Sequence, residues 1–283
     1  MQDFKLTKQQ KTFFDTFGYL VFRGLMKDRI EQITDEFESV FQKNGGNFNG
    51  KPHNFRRSST IVSFLGHSEY LSSLLDDPRV IEICSTLLGE DFNYLTSAGN
   101  KYVGSTGWHS DTTMDSIWPD NVKSINLSFY LDPVTKETGA LRIIPGSQFI
   151  GDQFTEGLKQ SFNGQDLGEL WGVDREDVPA IPIDIRPGDL LVFNNYLKHA
   201  AFGGGNNRRV MLVNFSRRFP EDRMDELKQY VSTFAPYWVE ELHGLCYTTA
   251  GPERMKHLRQ IQENQAHLPE LARKAKEEAL KRQ

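Results

Sequence analysis

The chain has 283 residues, 38% hydrophobic and 25% charged, an ordinary globular composition. A formal net charge of −5 and a pI near 5.8 argue against a protein held on nucleic acid through phosphate contacts. Two cysteines, Cys84 and Cys246, provide neither a disulfide framework nor a CxxC zinc site, and no apolar run reaches the roughly 18 residues of a membrane span.

Met1 to Lys5 lack the apolar core of a signal peptide, so a cytoplasmic protein is expected. Thr7-Lys8-Gln9-Gln10 has capping-box spacing and predicts a short helix carrying Phe13, Phe14 and Phe17, stopped by Gly18. Tyr19 to Phe22 reads as a strand. Ile30, Ile33, Phe37, Val40 and Phe41 recur at helical spacing, and Gly45 to Gly50 is a loop by composition. A further helix is predicted from Pro78 to Leu88, ended by Gly89.

The pattern changes after Asp91. Short apolar or alternating runs follow, each bounded by turn residues: 92–97, 101–103, 124–131, 140–144, 190–193 and 210–215. Runs of this kind predict a β sandwich or barrel. A charged helical tail follows from about Pro252, interrupted at Pro269, and His243 falls in a predicted helix near Trp238. One domain is expected: a helical part over about 1–90, a β core over about 91–218, and a helical tail over about 219–283. The class is mainly β with flanking helices, built on a double-sheet core.

Within the core lies Gly107-Trp108-His109-Ser110-Asp111. In a strand, residues i and i+2 share a face, so His109 and Asp111 would present an imidazole and a carboxylate side by side. That donor pair suits a mid-row divalent metal, and most coordination positions would remain open for another ligand. An HxD pair alone reads more readily as a surface or hydrogen-bonded pair than as a metal site. Trp108 would face the core. Among the seven histidines, His199 stands apart, because a strand launched by Pro187-Gly188-Asp189 precedes it and the glycines at 203–205 follow it.

Taken together, "WHSD", "GALRIIPGSQ" at 139–148, "PGDLLVFNNYLKH" at 187–199 and an arginine opening the next strand resemble the phytanoyl-CoA dioxygenase family. "FGYLVFRGLM" at 17–26 resembles the family's opening strand, and the likeness runs from about Thr7 to Arg218. The resemblance implies a jelly-roll, cupin-like double-stranded β-helix and a non-haem Fe(II)- and 2-oxoglutarate-dependent dioxygenase that also uses O2. It implies His109, Asp111 and His199 as the metal ligands, in a triad of two histidines and one carboxylate. It also implies an arginine for the far carboxylate of 2-oxoglutarate. Arg208 and Arg209 both stand at the right place, and alternation favours Arg208, whose face continues through Val210, Leu212, Asn214 and Ser216. Lys101 stands where the family often carries a lysine, which implies an approach to 2-oxoglutarate or to an acidic substrate, with a solvent-exposed lysine as the alternative, and Trp118 lies in a loop of the kind that covers substrate.

Family relatives that halogenate carry a small residue in place of the acid. Asp111 therefore points to hydroxylation of a small-molecule metabolite, with release of succinate and CO2. No polybasic groove suggests a CoA phosphate, and neither nucleic acid nor membrane is expected as a partner. The alternative is a non-catalytic metal- or sugar-binding jelly roll.

Overall fold

The computed structural model describes residues 4–111, 123–162 and 172–282. The N-terminal helix, α1 (Lys8–Phe17), carries the expected capping box: Gln10 N–H donates to Thr7 Oγ1 at 3.1 Å, and the Gln10 side chain accepts from the Thr7 backbone. Gly18 closes the helix in the left-handed region at φ +82°, where a Cβ would be strained. Then come β1 (Tyr19–Phe22), α2 (Ile30–Lys43), β2 (Ser59–Val62), α3 (Glu69–Ser72) and α4 (Pro78–Leu88). Asp77 caps α4, and Pro78 fits its first turn.

The β core follows as β3 (Phe92–Tyr102), β4 (Thr106–His109), β5 (Ser124–Tyr130), β6 (Leu141–Ile143), β7 (Ile181–Ile183), β8 (Leu190–Asn194), β9 (His199–Ala201) and β10 (Arg208–Arg217), with α5 (Gln153–Phe162) between β6 and β7. The described strands form two antiparallel sheets, ordered β1-β8-β5-β10-β3-β2 and β4-β9-β6-β7. The predicted runs at 92–97 and 101–103 are one continuous 11-residue strand, β3. Strands β2, β4, β7 and the three-residue β9 lie outside the predicted runs. β2 is four residues long inside a polar stretch, Pro182 sits in the edge strand β7, and β4 reads Thr-Gly-Trp-His with no apolar alternation.

Alternation divides the large sheet cleanly. Ile125, Leu127 and Phe129 of β5 and Met211, Val213 and Phe215 of β10 pack with Phe37, Phe41, Val80 and Ile83 of the helices. The opposite face turns toward the smaller sheet, where Tyr130, Leu191, Phe193 and Val210 meet Ile143 and Ile183. The second face of β5 carries Asn126, Ser128 and Tyr130, and all three are buried. Polar groups are therefore built into the interior between the sheets.

After β10 come α6 (Met224–Ser232), a short α7 (Leu245–Thr248), α8 (Pro252–Glu263) and α9 (Leu268–Lys281). The tail breaks before Pro269, which occupies the first turn of α9, where its missing N–H costs nothing. His243 lies outside any helix, a correction to its predicted placement; its ring is fully buried and stacks on Tyr94 at 5.0 Å. No described helix is long and apolar enough to cross a membrane.

Candidate metal and cosubstrate site

The smaller sheet brings the two ends of the sequence motif together. β4 runs antiparallel to β9, with His109 directly opposite His199, and Ile143 of β6 flanks His199 on its other side. Ser110, between the two candidate ligands, is buried; its hydroxyl donates to the Tyr196 carbonyl at 3.0 Å and accepts from Lys198 Nζ at 2.7 Å. This ties the His109–Asp111 segment to the connection that carries His199.

Ligand atoms of His109, Asp111 and His199 lie within 4.8 Å of one another. Asp111 Oδ1 is 3.4 Å from His199 Nε2 and 3.7 Å from His109 Nε2. Both imidazoles are oriented in the same way. His109 Nδ1 donates to the Gly107 carbonyl and His199 Nδ1 to the Leu197 carbonyl, each at 2.8 Å. That leaves each Nε2 with a free lone pair directed at the shared point. Asn126 Nδ2 donates to Asp111 Oδ2 at 3.4 Å, leaving Oδ1 on the histidine side. Two neutral imidazole nitrogens and one carboxylate oxygen, with open space beside them, are the donor set of a non-haem Fe(II) centre.

The electrostatics agree. Withdrawal from water alone would raise the Asp111 carboxyl, but the two imidazoles and the Asn126 amide outweigh it and hold the group below the usual carboxylate range. Desolvation, helped by the neighbouring His199, lowers the pKa of His109 and so favours the neutral, ligating ring.

Arg208 shares a cavity with His109, Asp111 and His199, and Tyr102, Ser128 and Tyr130 line it as well. Arg208 as a whole is 7% exposed, its guanidinium lies 5.3 Å from the centre of the Tyr102 ring, and its Nη1 has no hydrogen-bond partner among the described residues. A buried guanidinium without a carboxylate partner is costly unless an anion joins it. Two glycines make room for it. A Cβ on Gly139, at φ +93°, would lie 1.7 Å from Arg208 Nη1, and one on Gly204 would lie 2.5 Å from the same atom. The close approach gives the "GALRI" glycine a direct role in seating Arg208.

The other candidates sit elsewhere. Arg209 points to the opposite face, where it binds Asp132 through Nε and Nη2 (3.0 and 2.6 Å) and Glu38 through Nη1 (3.0 Å). Lys101, directly opposite Arg209 in the β3–β10 ladder, pairs with Glu38 at 2.7 Å and lies over the Phe41 ring. Its expected approach to the cosubstrate is thus corrected: neighbouring Asn100 and Tyr102 point inward, and the pleat turns Lys101 outward. Trp118 lies outside the described residues. Trp108 is half-buried: it packs against Ile144, Leu158 and Val178, and its Nε1 donates to the Arg175 carbonyl. Sequence reasoning missed Asn126, although the polar alternation Asn126, Ser128, Tyr130 inside an otherwise apolar strand was a signal.

A double-stranded β-helix that gathers two imidazoles and a carboxylate beside a buried arginine is the framework of the non-haem iron oxygenases. The family model described as phytanoyl-CoA dioxygenase (PhyH) matches residues 14–210, and the chain belongs to that family. It is a non-haem Fe(II)- and 2-oxoglutarate-dependent dioxygenase, and the non-catalytic alternative falls with that membership. The chain is 24% identical over 260 residues to a 2-aminoethylphosphonate dioxygenase of the uncultured bacterium HF130_AEPn_1, a match spanning 86% of this chain and 94% of that one. The fold is similar to that of SnoK, a non-haem α-ketoglutarate-dependent carbocyclase from nogalamycin biosynthesis (TM-score 0.58, 19% identity, 75% of this chain and 84% of that one). EctD from S. alaskensis with bound Fe is similar too (TM-score 0.58, 19% identity, 77% of this chain and 79% of that one).

Proposed function

We propose that His109, Asp111 and His199 are the protein ligands of the iron, that Arg208 receives the far carboxylate of 2-oxoglutarate, and that the enzyme hydroxylates a small-molecule metabolite. The observation that carries this reading is the convergence of the three ligand atoms within 4.8 Å, in the cavity that also holds Arg208. Bound there, iron and 2-oxoglutarate supply the oxidising chemistry: O2 is consumed, 2-oxoglutarate becomes succinate and CO2, and one oxygen atom passes to the substrate.

The protein's own residues hold and orient. The Gly107 and Leu197 carbonyls fix both imidazole tautomers, and Asn126 fixes the rotation of the Asp111 carboxylate. Arg208 offers a planar, permanently charged fork that matches a carboxylate in a way a lysine cannot. Burial keeps the nearby Tyr130 phenol protonated, its pKa pushed up to about 12, so it stays a neutral hydroxyl. Retention of a carboxylate at Asp111 favours hydroxylation over halogenation. A cytoplasmic location is part of the proposal, and two buried free cysteines support it.

The test is iron- and 2-oxoglutarate-dependent succinate formation, measured alongside metal content. His109→Ala, Asp111→Ala and His199→Ala should each lose stoichiometric Fe(II) and succinate formation together. A variant that keeps both at the wild-type level removes that residue from the ligand set.

A further inference from the structure

The lining of a second, larger cavity constrains the substrate. Tyr102, Asp111 and Leu212 border both the cosubstrate cavity and this one, which encloses about 490 Å³. That is within the range that holds a small organic ligand. Its wall is rich in carboxamides, from Asn100, Asn126, Asn195 and Asn214, and the C-terminal aromatics Tyr230 and Tyr237 close one side. No lysine, arginine or histidine among the described residues lines it, and Asp111 is the sole carboxylate there among them. An anion entering this space would shed its hydration with no cationic side chain among the described residues to receive it, whereas neutral hydroxyls and amides would find partners throughout.

The amides also have a direction. Asp111 can only accept, so Asn126 must turn Nδ2 toward it, at 3.4 Å. Asn126 Oδ1 then faces Ser128 and accepts from its hydroxyl at 2.8 Å. The second Asn126 N–H is left for Asn214 Oδ1, at 3.2 Å, and Asn195 Nδ2 donates to that same oxygen at 3.1 Å. With its oxygen doubly engaged, Asn214 has its own NH2 group left to donate. Asn126 and Asn214 are direct cross-strand partners, so the chain of bonds is anchored in the sheet.

Resting on the oxygenase reading above, we propose that this cavity selects an uncharged, hydroxyl- or amide-bearing small molecule and that Asn214 Nδ2 donates to an acceptor oxygen on it. The cavity would thereby exclude phosphonates, phosphates and acyl-CoA thioesters.

The experiment uses the full-length Fe(II)-loaded enzyme with 2-oxoglutarate. A small-metabolite extract of the organism that carries the gene is split by ion exchange into neutral, anionic and cationic fractions. Each fraction is assayed for succinate formation above the unstimulated rate and for a rise in the enzyme's Tm. The neutral fraction should give both responses, and 2-aminoethylphosphonate should give neither. Stimulation confined to a charged fraction, or produced by 2-aminoethylphosphonate, overturns the inference while leaving the oxygenase reading standing. Absence of any iron- and 2-oxoglutarate-dependent succinate in every fraction sinks both. Asn214→Leu should raise the half-saturating dose of the neutral fraction about tenfold, the usual consequence of leaving one buried polar partner unmet. Asn214→Ser keeps a donor and should raise it less; an unchanged dose in both variants removes Asn214 as the anchor.

Discussion

Replacing Gly139 by alanine should cripple 2-oxoglutarate binding without touching a metal ligand. The new Cβ would sit 1.7 Å from Arg208 Nη1. An ordinary contact is about 3.5 Å, so the guanidinium must retreat by about 1.8 Å or the loop must move. A misplacement of about 1 Å at a positioning group can cost about 10²-fold, so a loss of that order in 2-oxoglutarate affinity is expected. The φ of +93° adds strain of about 1–2 kcal/mol, which should lower Tm by a few degrees. The assay is calorimetric titration of 2-oxoglutarate into the enzyme, with Mn(II) standing in for iron. Arg208→Ala should show a loss of similar size, and the double variant should be no worse than Arg208→Ala alone, because Gly139 acts through Arg208. Affinity within about threefold of wild type in Gly139→Ala would refute the reasoning, and so would additive losses in the double variant.

The two arginines should separate in the same titration. Arg208→Ala should weaken 2-oxoglutarate binding by tens- to thousands-fold, the range of about 2–5 kcal/mol for a lost buried charge partner. Arg209→Ala should leave it nearly unchanged and cost only about 1 kcal/mol of stability, because its ion pairs to Asp132 and Glu38 are partly open to solvent. Asn126→Leu should lower Fe(II) affinity by about 10–100-fold with all three candidate ligands intact, measured by competition with a chelator, since the Asp111 carboxylate loses the bond that sets its rotation. For His243, complete burial pushes the pKa down from 6.5 to about 4. As pH falls through this window the unfolded chain takes up the proton first, so stability falls by about 3 kcal/mol between pH 6.5 and 4. His243→Phe should flatten that part of the Tm-against-pH curve, and an unchanged slope would assign the acid sensitivity elsewhere.

Punctuation decided which elements were legible in the sequence. α1 and α4 announce themselves by caps and terminal glycines, and β8 by a turn followed by an apolar run, because each signal is local. β2 and β7 are strands by virtue of their partners. Ser59–Val62 is extended because it pairs with β3, and Ile181–Ile183 because it pairs with β6 at an edge that tolerates Pro182. His243 failed for a related reason: helical spacing near Trp238 does not reveal that Tyr94, far earlier in the chain, receives the ring.

The site divides along the same line, and Lys101 shows where. Alternation along β10 separated Arg208 from Arg209, and the structure puts Arg208 beside the candidate metal ligands and Arg209 among carboxylates on the outer face. The same logic would have turned Lys101 away had the β3–β10 register been known, because residues opposite one another in a ladder share a face. Tyr102 pairs with Arg208 and faces in; Lys101 pairs with Arg209 and faces out. Position within a family pattern placed the lysine near the site, and one residue of pleat removed it. Asn126 and Asn214 carry the converse lesson. Alternation within each strand can put them on the inner face, but only the β5–β10 pairing sets them face to face beside Asp111. The motif that carries the candidate ligands could be read because its spacing is short, whereas the bonds among the amides around it become visible only through contacts between strands far apart in the chain.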